Sequence, residues 1–497
     1  MVTSAAASLL SFWNDSRLHA DRAKSASVKP APGIVPWRDA LEDVLKVGYG
    51  IQAQPRFVAG AWERVRWRTT PSAGALYPFE VVASVIGDGS YLWDVEAGRL
   101  HPCGLPPLTR DDLDAAGFVT RPGHRLEALL IFIARPWLSM RKYRQRGYAY
   151  CHLDVGHTAT NLAIYTMALG HPLTLHLRFS RTFLAGHLKL EGLCREPFAV
   201  LSFASEAPAG DPAHALEEAA EGPFPIALEP PEQIEILNWE SLRGIVSFDS
   251  ALEPPCEPRC APLLQEPQEP REPEETSGHS VLPLPEGRPA ISAATEWRAA
   301  ILGRRSAKGF RDRSLNVDQI GELLAALRGQ GLAADCSAED SGRVGVRLVA
   351  RNVDGVEGVF AYSPREHALH LVDPQARDPR PACMQQGLAG DAAALLILHA
   401  PLFSLVERQG YSAFAELHFR AAELGQRLHL AAARLGDDVG VTCIGGFDGE
   451  ECSALARLEP GEEALYVILL GIRDESAFKH DRLSVAFSHG YTNNLDG

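Results

Sequence analysis

The stretch RTTPSAGALYPFEVVAS, from Arg68 to Ser84, joins a loop of small residues to an apolar run. The run that follows Tyr77 and Pro78 alternates as a buried strand does. Because Ala73 and Gly74 carry almost no side chain, their amides can approach a flat or anionic ligand that a larger residue would exclude. The stretch therefore indicates either an ordinary turn or a ligand-binding loop that opens a strand of a sheet.

Composition limits the classes of protein to which this chain can belong. Its 497 residues exceed what one hydrophobic core usually supports, so we expect two domains. The formal charge is -15 and no basic stripe is interleaved with aromatic residues, which argues against binding to nucleic acid. The first residues lack the pattern of a signal peptide, and no apolar stretch is long enough to span a bilayer. We expect a cytoplasmic protein that binds neither nucleic acid nor membrane.

The cysteine and histidine residues do not form a recognisable metal site. The nine cysteines lack a paired framework, which is typical of reduced thiols in a cytosol. Cys256 and Cys260 are the closest pair, but no second pair follows at zinc spacing. His152 and His157, with Asp154 between them, do not share one helical face, and no third ligand is evident. We expect these side chains to pack or cap a helix, and we predict no metal site.

A change in composition divides the chain. From about Glu206 to Pro289 the composition changes, most sharply at residues 253–280, where proline and glutamate dominate and apolar residues are too sparse to bury a core. This composition predicts a semi-rigid, solvated linker. The segment EQIEILNWESLRGIVS, at residues 232–247, is amphipathic and is a candidate to dock on a neighbouring domain. The predicted division is a first unit at residues 1–205, a linker at residues 206–290 and a second unit at residues 291–497.

The two units repeat one pattern. GSYLWDVEAGRLH (Gly89–His101) and GVFAYSPREHALH (Gly358–His370) share a glycine, two aromatic residues and Leu-His at the same offsets, as in a small hairpin. A Gly-Tyr pair then precedes a helical segment in each unit, at Gly147 and at Gly410, and each unit ends in an apolar strand. This internal similarity predicts a tandem duplication of one α+β unit.

The two copies retain different motifs. The first copy contains PSAG and KYRQRGYAY, which the second copy lacks. The second copy contains RRSAKGF (Arg304–Phe310), CIGGFDG (Cys443–Gly449) and LLGIR (Leu469–Arg473), which the first copy lacks. Each copy alone would build half a site, so we infer one composite site between the copies.

The motifs of the second copy supply groups that can bind an anion. Guanidinium, hydroxyl and ammonium groups that could surround a phosphate lie within five residues, at Arg304, Arg305, Ser306 and Lys308. A solvated basic turn before a helix has the same composition. The Gly-Gly step is typical of a turn, and it also leaves amides accessible to a ligand. Arg473 either adds a second charge at the same anion or lies on the surface.

Together and in this order, the motifs resemble those of the nitroreductase superfamily of FMN proteins. Within it they resemble the azoline-oxidising dehydrogenases of thiazole/oxazole-modified peptide biosynthesis. The resemblance spans most of both copies and excludes the linker. It implies an α+β fold in which two tandem nitroreductase-like units, each an antiparallel-rich sheet flanked by helices, form an intramolecular pseudo-dimer. It also implies FMN as the cofactor.

The resemblance assigns a role to each motif. Phosphate binding falls to Arg304, Arg305, Ser306, Lys308 and Arg473, and contacts to the isoalloxazine ring fall to Ile444, Gly445 and Gly446. In the family the Pro-Ser-Ala-Gly loop comes from the partner protomer, and here Pro71, Ser72, Ala73 and Gly74 of the first copy take that place. Because each copy lacks what the other retains, we predict one FMN per chain.

The segment RKYRQRGYAY narrows the resemblance. Its pair Lys142 and Tyr143, followed by Arg-Gly-Tyr, resembles the catalytic element of the azoline dehydrogenases, which general nitroreductases do not share. Converting an azoline into an azole removes a Cα proton and a hydride, so the site needs a base near that carbon. A tyrosine is a poor base unless a neighbouring ammonium favours its phenolate, as Lys142 would for Tyr143. Away from a flavin, the pair would be a solvated lysine beside a half-buried tyrosine.

Three functions follow as hypotheses. The leading one is an FMN-dependent dehydrogenase that converts thiazolines or oxazolines of a precursor peptide into azoles, with a cyclodehydratase as a candidate partner. The second is a flavoenzyme that uses NAD(P)H to reduce nitro or quinone compounds. The third is a flavin-free subunit that scaffolds a cyclodehydratase and its peptide. Because the two copies are joined, the pseudo-dimer needs no second chain, and a monomer is expected to suffice.

Overall fold

The computed structural model describes residues 36–58, 61–105, 108–118, 124–190, 195–206, 281–287, 293–328, 344–436 and 438–477. Most of the expected linker, with Cys256 and Cys260, lies outside these residues. Its last part is an edge strand, because Val281–Pro283 pairs with the strand Ala368–Asp373. The second sheet therefore begins earlier in the chain than the expected boundary at residue 291.

The N-terminal half combines short strands with one long helix. Its elements are α1 (Pro36–Gly48), β1 (Ile51–Val58), β2 (Ala61–Arg68), β3 (Phe79–Val85), β4 (Gly89–Asp94), β5 (Arg99–Pro102), α2 (Arg110–Ala115), β6 (His124–Ala134), α3 (Pro136–Tyr143), α4 (Arg146–Ala168), β7 (Leu173–His176), α5 (Arg181–His187) and β8 (Glu196–Glu206).

The C-terminal half has a similar succession of elements. They are β9 (Val281–Pro283), α6 (Ala294–Gly303), β10 (Phe310–Arg311), α7 (Val317–Ala325), β11 (Gly345–Val353), β12 (Val356–Ser363), β13 (Ala368–Asp373), α8 (Gly387–Asp391), β14 (Ala394–Ala400), α9 (Leu402–Gln409), α10 (Tyr411–Leu435), β15 (Val439–Ile444), α11 (Gly449–Ala456) and β16 (Glu463–Arg473).

Each half is built on an antiparallel sheet, and the two sheets have the same strand order. The first runs β5-β4-β3-β6-β8-β7, and the second contains the equivalent order β13-β12-β11-β14-β16-β15, with β9 and β10 added at its edges. The hairpin of β1 and β2 lies outside both sheets. Helices flank the sheets, so the expected α+β class, with an antiparallel-rich sheet in each unit, is confirmed.

The two longest helices, α4 and α10, join the halves. Nearly every residue of α4 from Gly147 to Thr166 is buried, because one side of the helix faces its own sheet and the other faces α10. At the crossing, a Cβ on Gly156 would lie 2.6 Å from the Cβ of Ala422, so this close approach requires glycine. Among the described residues, no helix is long and apolar enough to cross a membrane.

Candidate functional site

Arg304 brings the basic run of the C-terminal half to the loop of the N-terminal half. Its side chain is 3% exposed, although arginine is rarely buried without partners. Nε donates to the carbonyl oxygen of Thr69 and Nη2 to that of Arg68, both at 2.7 Å, while Nη1 donates to Ser306 Oγ at 3.2 Å. Because Thr69 lies just before the Pro71–Gly74 loop, two of the sequence motifs meet here.

The rest of the basic run lies along the edge strands of the second sheet. Ser306 forms a parallel bridge with Val441, and Phe310 pairs with Arg473. A Cβ on Gly440 would lie 3.0 Å from the Cβ of Ala307 and 3.1 Å from that of Arg473. The backbone of the basic run and that of Arg473 therefore lie on neighbouring strands, and their joint role at a phosphate stays a prediction.

Two of these cations already have protein partners. The guanidinium of Arg305 lies 5.6 Å from the ring centroid of Trp67, within the range of a cation–π contact. Arg473 Nε lies 2.5 Å from Glu475 Oε1 in an ion pair. An anion bound beside Ser306 would therefore meet arginines whose orientation the surrounding side chains already restrict.

The Pro71–Gly74 loop is fastened to α4 by Asp154. Ser72 Oγ donates to Asp154 Oδ2 at 2.5 Å, and the amide of Ala73 donates to Oδ1 at 3.1 Å. Ser72 Oγ also accepts from the amide of Tyr77 at 2.8 Å. The amide of Ala73, which the sequence suggested for a ligand, is thus used inside the protein, and Gly74 remains exposed at the tip.

The loop lies directly against the Lys142–Tyr143 pair. A Cβ on Gly74 would overlap the hydroxyl of Tyr143 and would lie 3.0 Å from Lys142 Nζ. The ring of Tyr143 meets that of Tyr150 edge to face, with centroids 4.9 Å apart. A Cβ on Gly445 would in turn lie 2.6 Å from the ring of Tyr150. Contacts therefore run continuously from the loop, through the tyrosines, to the glycine pair of the other half.

The segment Ile444–Phe447 is held from both halves. Ile444 and Phe447 are buried, whereas Gly445 and Gly446 are partly exposed. Arg146, which opens α4, donates from Nη1 to the carbonyl oxygen of Phe447 at 2.5 Å, and its guanidinium lies 3.9 Å from the Phe447 ring centroid. Sequence analysis missed this role of Arg146, because no local pattern shows a contact across 301 residues.

Tyr143 is held in its neutral form. Burial raises its pKa well above the usual value of 10, and the nearby charge of Asp154 raises it further. This corrects the expectation that Lys142 favours a phenolate. Loss of solvent around the ring and the negative charge of Asp154 both oppose ionisation of Tyr143. A neutral Tyr143 can donate a hydrogen bond from Oη but is not poised as a base.

Asp154 is the functional candidate that sequence analysis did not recognise. Burial raises the pKa of its carboxyl to about 7, although the hydrogen bonds from Ser72 and Ala73 lower it. The expectation that the neighbouring histidines serve packing fits their contacts, since His152 stacks on Phe198 with ring centroids 4.0 Å apart. Within the described ranges, no three histidine, cysteine or acidic side chains are grouped to hold a metal ion.

A buried hydrogen-bond chain crosses the contact between the halves and ends at the carbonyl that Arg304 also binds. It runs from Tyr466 Oη to His157 Nε2 (3.0 Å), from His157 Nδ1 to Gln426 Oε1 (2.9 Å), from Gln426 Nε2 to Asn161 Oδ1 (2.6 Å) and from Asn161 Nδ2 to Thr69 O (3.1 Å). Burial lowers the pKa of His157 to about 3, so the imidazole is neutral, donating from Nδ1 and accepting at Nε2. Every donor along the chain therefore has an acceptor.

Two nitrogens near the basic run are buried without such a partner. In the part of the chain that the structure describes, neither Trp67 Nε1 nor His429 Nδ1 forms a hydrogen bond. Trp67 lies beside Arg305, and the charges of Arg304 and Lys308 reach His429, whose pKa is lowered well below its usual value by burial and then by these charges. Buried polar nitrogens without a partner are rare in native proteins, so each of these two atoms is a candidate to bond a polar ligand.

The strand register identifies what replaces the glycine pair in the N-terminal half. His176 pairs with Val200 as Ile444 pairs with Val467. Leu177, Arg178 and Phe179 therefore occupy the positions equivalent to Gly445, Gly446 and Phe447. Sequence analysis found no counterpart of the glycine segment because only the pairing of strands, and not the residue types, reveals it.

Side chains fill the equivalent position between the halves. Arg178 forms a bidentate ion pair with Glu416, which is 2% exposed, and its Nη2 donates to Gln409 Oε1 at 3.3 Å. The strand β8 also ends at Glu206 where the equivalent β16 ends at Arg473. This second position thus has large side chains in place of glycines and an acid in place of the arginine.

Comparisons with known proteins agree with this architecture. Residues 301–472 match the nitroreductase family. A putative nitroreductase of Methanocaldococcus jannaschii is 30% identical over 146 residues, which are 26% of this chain and 63% of that protein, so the chain spans less than two thirds of that relative. The crystal structure of a putative nitroreductase from Anabaena variabilis matches with a TM-score of 0.65 at 21% identity and 88% coverage of both chains. Residues 301–472 are therefore similar to the nitroreductase family, and the chain has a nitroreductase-like fold.

Proposed function

We propose that the protein is an FMN-dependent dehydrogenase that oxidises thiazolines or oxazolines in a peptide to thiazoles or oxazoles. The observation that carries this proposal is the contact of Lys142 and Tyr143 with Gly74, on a path that continues to Gly445. A pair of acid–base side chains thus lies beside the two segments expected to border a flavin.

The residues around Arg304 fit FMN. Ser306, Lys308, Arg305 and Arg473 would hold its phosphate, and the unsatisfied nitrogens of Trp67 and His429 offer further hydrogen bonds to its polar chain. A Cβ on Gly446 would have Gln386 Nε2, at 3.9 Å, as its nearest neighbour, so the backbone of this glycine is accessible from that side. Bound FMN would supply the acceptor for the hydride that leaves the azoline.

The chain's own groups then divide the remaining chemistry. Because Tyr143 is neutral, Oη is suited to orient the substrate by donating a hydrogen bond. Lys142 Nζ lies beside the same part of the loop, and in its unprotonated form it is the member of the pair that takes the Cα proton. The substrate then loses one proton and one hydride, which together convert the azoline into the azole.

The alternative of an NAD(P)H-dependent reductase of nitro or quinone compounds also has support. The family match over residues 301–472 and the description of the archaeal relative as a putative nitroreductase favour it. Adding NAD(P)H without a peptide separates the two functions, because a reductase would bleach its flavin under these conditions. A purified protein that is colourless and does not take up added FMN would instead support a scaffold role.

The deciding experiment is incubation of the FMN-loaded protein with an azoline-containing peptide in air, followed by mass spectrometry. The proposal expects a loss of two hydrogens for each ring oxidised. The Lys142→Ala variant is the matched control, since it retains the basic run and the glycine segment. An unchanged peptide mass, with flavin bound and oxygen present, would reject the azoline dehydrogenase for the peptide class used.

A further inference from the structure

Asp154 is a buried carboxyl that, among the residues the structure describes, accepts hydrogen bonds from a single loop. Its side chain, on helix α4, is 3% exposed and accepts hydrogen bonds from Ser72 Oγ and from the amide of Ala73. Burying a carboxyl costs free energy unless hydrogen bonds compensate. A buried carboxyl is therefore expected to have a specific task.

The loop that Asp154 holds has an unfavourable backbone. Gly74, Ala75 and Tyr77 have φ values of 62°, 55° and 46°, in the left-handed region that residues other than glycine seldom adopt. Such a conformation persists only where its surroundings impose it. The bonds to Asp154 are made by Ser72 and Ala73, directly before the first of these residues. Ser72 Oγ also accepts a hydrogen bond from the amide of Tyr77, so it links the two ends of the strained segment.

The position of the loop determines what faces Tyr143. Gly74 touches the hydroxyl of Tyr143 and comes close to Lys142 Nζ, and Ala73 and Tyr143 pack on the same hydrophobic cluster of the C-terminal half. We propose that Asp154 is a positioning residue: its carboxyl fixes the Pro71–Gly74 loop to helix α4 and thereby sets the backbone of Gly74 against the hydroxyl of Tyr143. Only the effect on catalysis rests on the proposed function.

Hydrogen exchange of the full-length protein tests the positioning itself. The variant Asp154→Leu keeps much of the side-chain volume but leaves Ser72 and Ala73 without their acceptor. Asp154→Asn keeps an acceptor for Ala73 and a partner for Ser72. We expect exchange in a peptide covering residues 70–77 to be ~10-fold faster or more in Asp154→Leu, and within ~3-fold of the unmodified protein in Asp154→Asn.

A matched control separates positioning from general loosening of the helix. Glu196, on strand β8, is another buried carboxyl. It accepts a hydrogen bond at 3.0 Å from the hydroxyl of Tyr148, which lies on helix α4 but away from the loop. Glu196→Gln should leave the exchange of residues 70–77 unchanged. If Asp154→Leu does not fold, Ser72→Ala removes one of the two bonds from the loop side and should accelerate the same peptide. Unchanged exchange in both Asp154→Leu and Ser72→Ala would overturn the proposal.

The activity measurement distinguishes the two proposals. With the azoline peptide, Asp154→Leu should lower kcat ~10-fold or more, and Asp154→Asn should restore most of it, because the asparagine keeps the loop in place. A fall in kcat that Asp154→Asn does not restore, with normal exchange in that variant, would mean that the charge of Asp154 itself acts in the reaction and would overturn a purely positioning role. If the unmodified protein oxidises no azoline while exchange responds as expected, the proposed function fails and the positioning role stands.

Discussion

Arg304 Nε and the carbonyl oxygen of Thr69 are joined by a 2.7 Å hydrogen bond that crosses from one half of the chain to the other. Because Arg304 also binds the carbonyl of Arg68, we expect Arg304→Ala to lower the free energy of unfolding by about 2–4 kcal/mol. Arg305→Ala, which removes a partly exposed contact with Trp67, should cost less than about 1 kcal/mol. Urea unfolding of both variants measures the difference, and equal stabilities would contradict it.

Flavin content should depend on the residues of the basic run that face the proposed phosphate. Arg305→Ala combined with Ser306→Ala should reduce FMN retention while the fold is preserved, because contacts to the phosphate are lost while Arg304 keeps its bonds to Arg68 and Thr69. Absorbance of flavin released from equal amounts of folded protein gives the measurement. An unchanged content would place the phosphate elsewhere.

One FMN should bind per chain. The position equivalent to the glycine pair is occupied by Leu177 and Arg178, and the ion pair of Arg178 with Glu416 lies across it. Flavin released per polypeptide checks this number, with protein concentration determined independently of the flavin absorbance. A ratio of two would show that the second position also binds FMN despite these side chains.

Lys142→Ala and Tyr143→Phe should keep FMN and lose most azole formation. Neither side chain belongs to the basic run. Losses of ~100-fold are usual when a general base, here Lys142, is removed, and Tyr143→Phe removes the hydroxyl that orients the substrate. Initial rates with the azoline peptide, normalised to bound flavin, provide the test. Full activity in both variants would remove the pair from the mechanism, and loss of flavin together with activity would make its role structural.

The carboxyl of Asp154 should make stability depend on pH in a defined direction. Its pKa is raised from 3.8 to about 7 in the folded protein, so the folded state binds the proton more tightly than the unfolded state between these values. The contribution is fully present below about pH 4 and is lost as pH rises through about 7. The stability of the unmodified protein relative to Asp154→Asn should therefore fall by up to about 3–4 kcal/mol between pH 4 and pH 8.

Urea unfolding of both proteins at several pH values measures this difference. Comparing the two proteins cancels the contribution of His157, whose lowered pKa makes stability fall in the opposite direction, as pH decreases below about 6.5. A difference between the proteins that does not change with pH would show that Asp154 titrates in the same range when folded and unfolded.

Replacing Arg144 with glycine should stabilise the protein. Arg144 ends helix α3 with φ 54° and ψ -144°, a conformation that favours glycine, and the helix α9 ends on Gly410 with φ 70° and ψ -154°. Because Arg144 is exposed, relief of this strain should exceed the entropic cost of glycine and give a gain of about 1 kcal/mol. Thermal unfolding measures the gain, and a lower Tm would show that the side chain of Arg144 contributes more than its backbone costs.

The sequence was informative where function depends on residue types in a fixed order. The repeated hairpin and Gly-Tyr pairs predicted two related halves, and the order of the motifs predicted the nitroreductase-like fold. Gly74 lies against Tyr143, and Tyr143 packs on Tyr150 beside Gly445, while the composite site inferred from the motifs that each half retains stays a prediction.

The sequence did not reveal properties of the site that depend on burial or on strand register. Lys142 stands beside Tyr143 in the sequence, but burial and Asp154 set the pKa of the tyrosine, and neither effect is visible in a local pattern. The tie between Asp154 and Ser72 joins positions 82 residues apart. The equivalence of Arg178 and Gly446 likewise emerges only from strand pairing.

The crossing of α4 and α10 at Gly156 and Ala422 has a consequence for how the two halves can change. In a homodimer of identical subunits, every substitution enters both sites at once, because the twofold axis copies it. Here the two halves that correspond to subunits belong to one polypeptide. One half can therefore carry a large residue, Leu177, where the other carries Gly445. Covalent joining therefore frees one side of the interface to serve packing alone, and a harmful change on that side leaves the other intact.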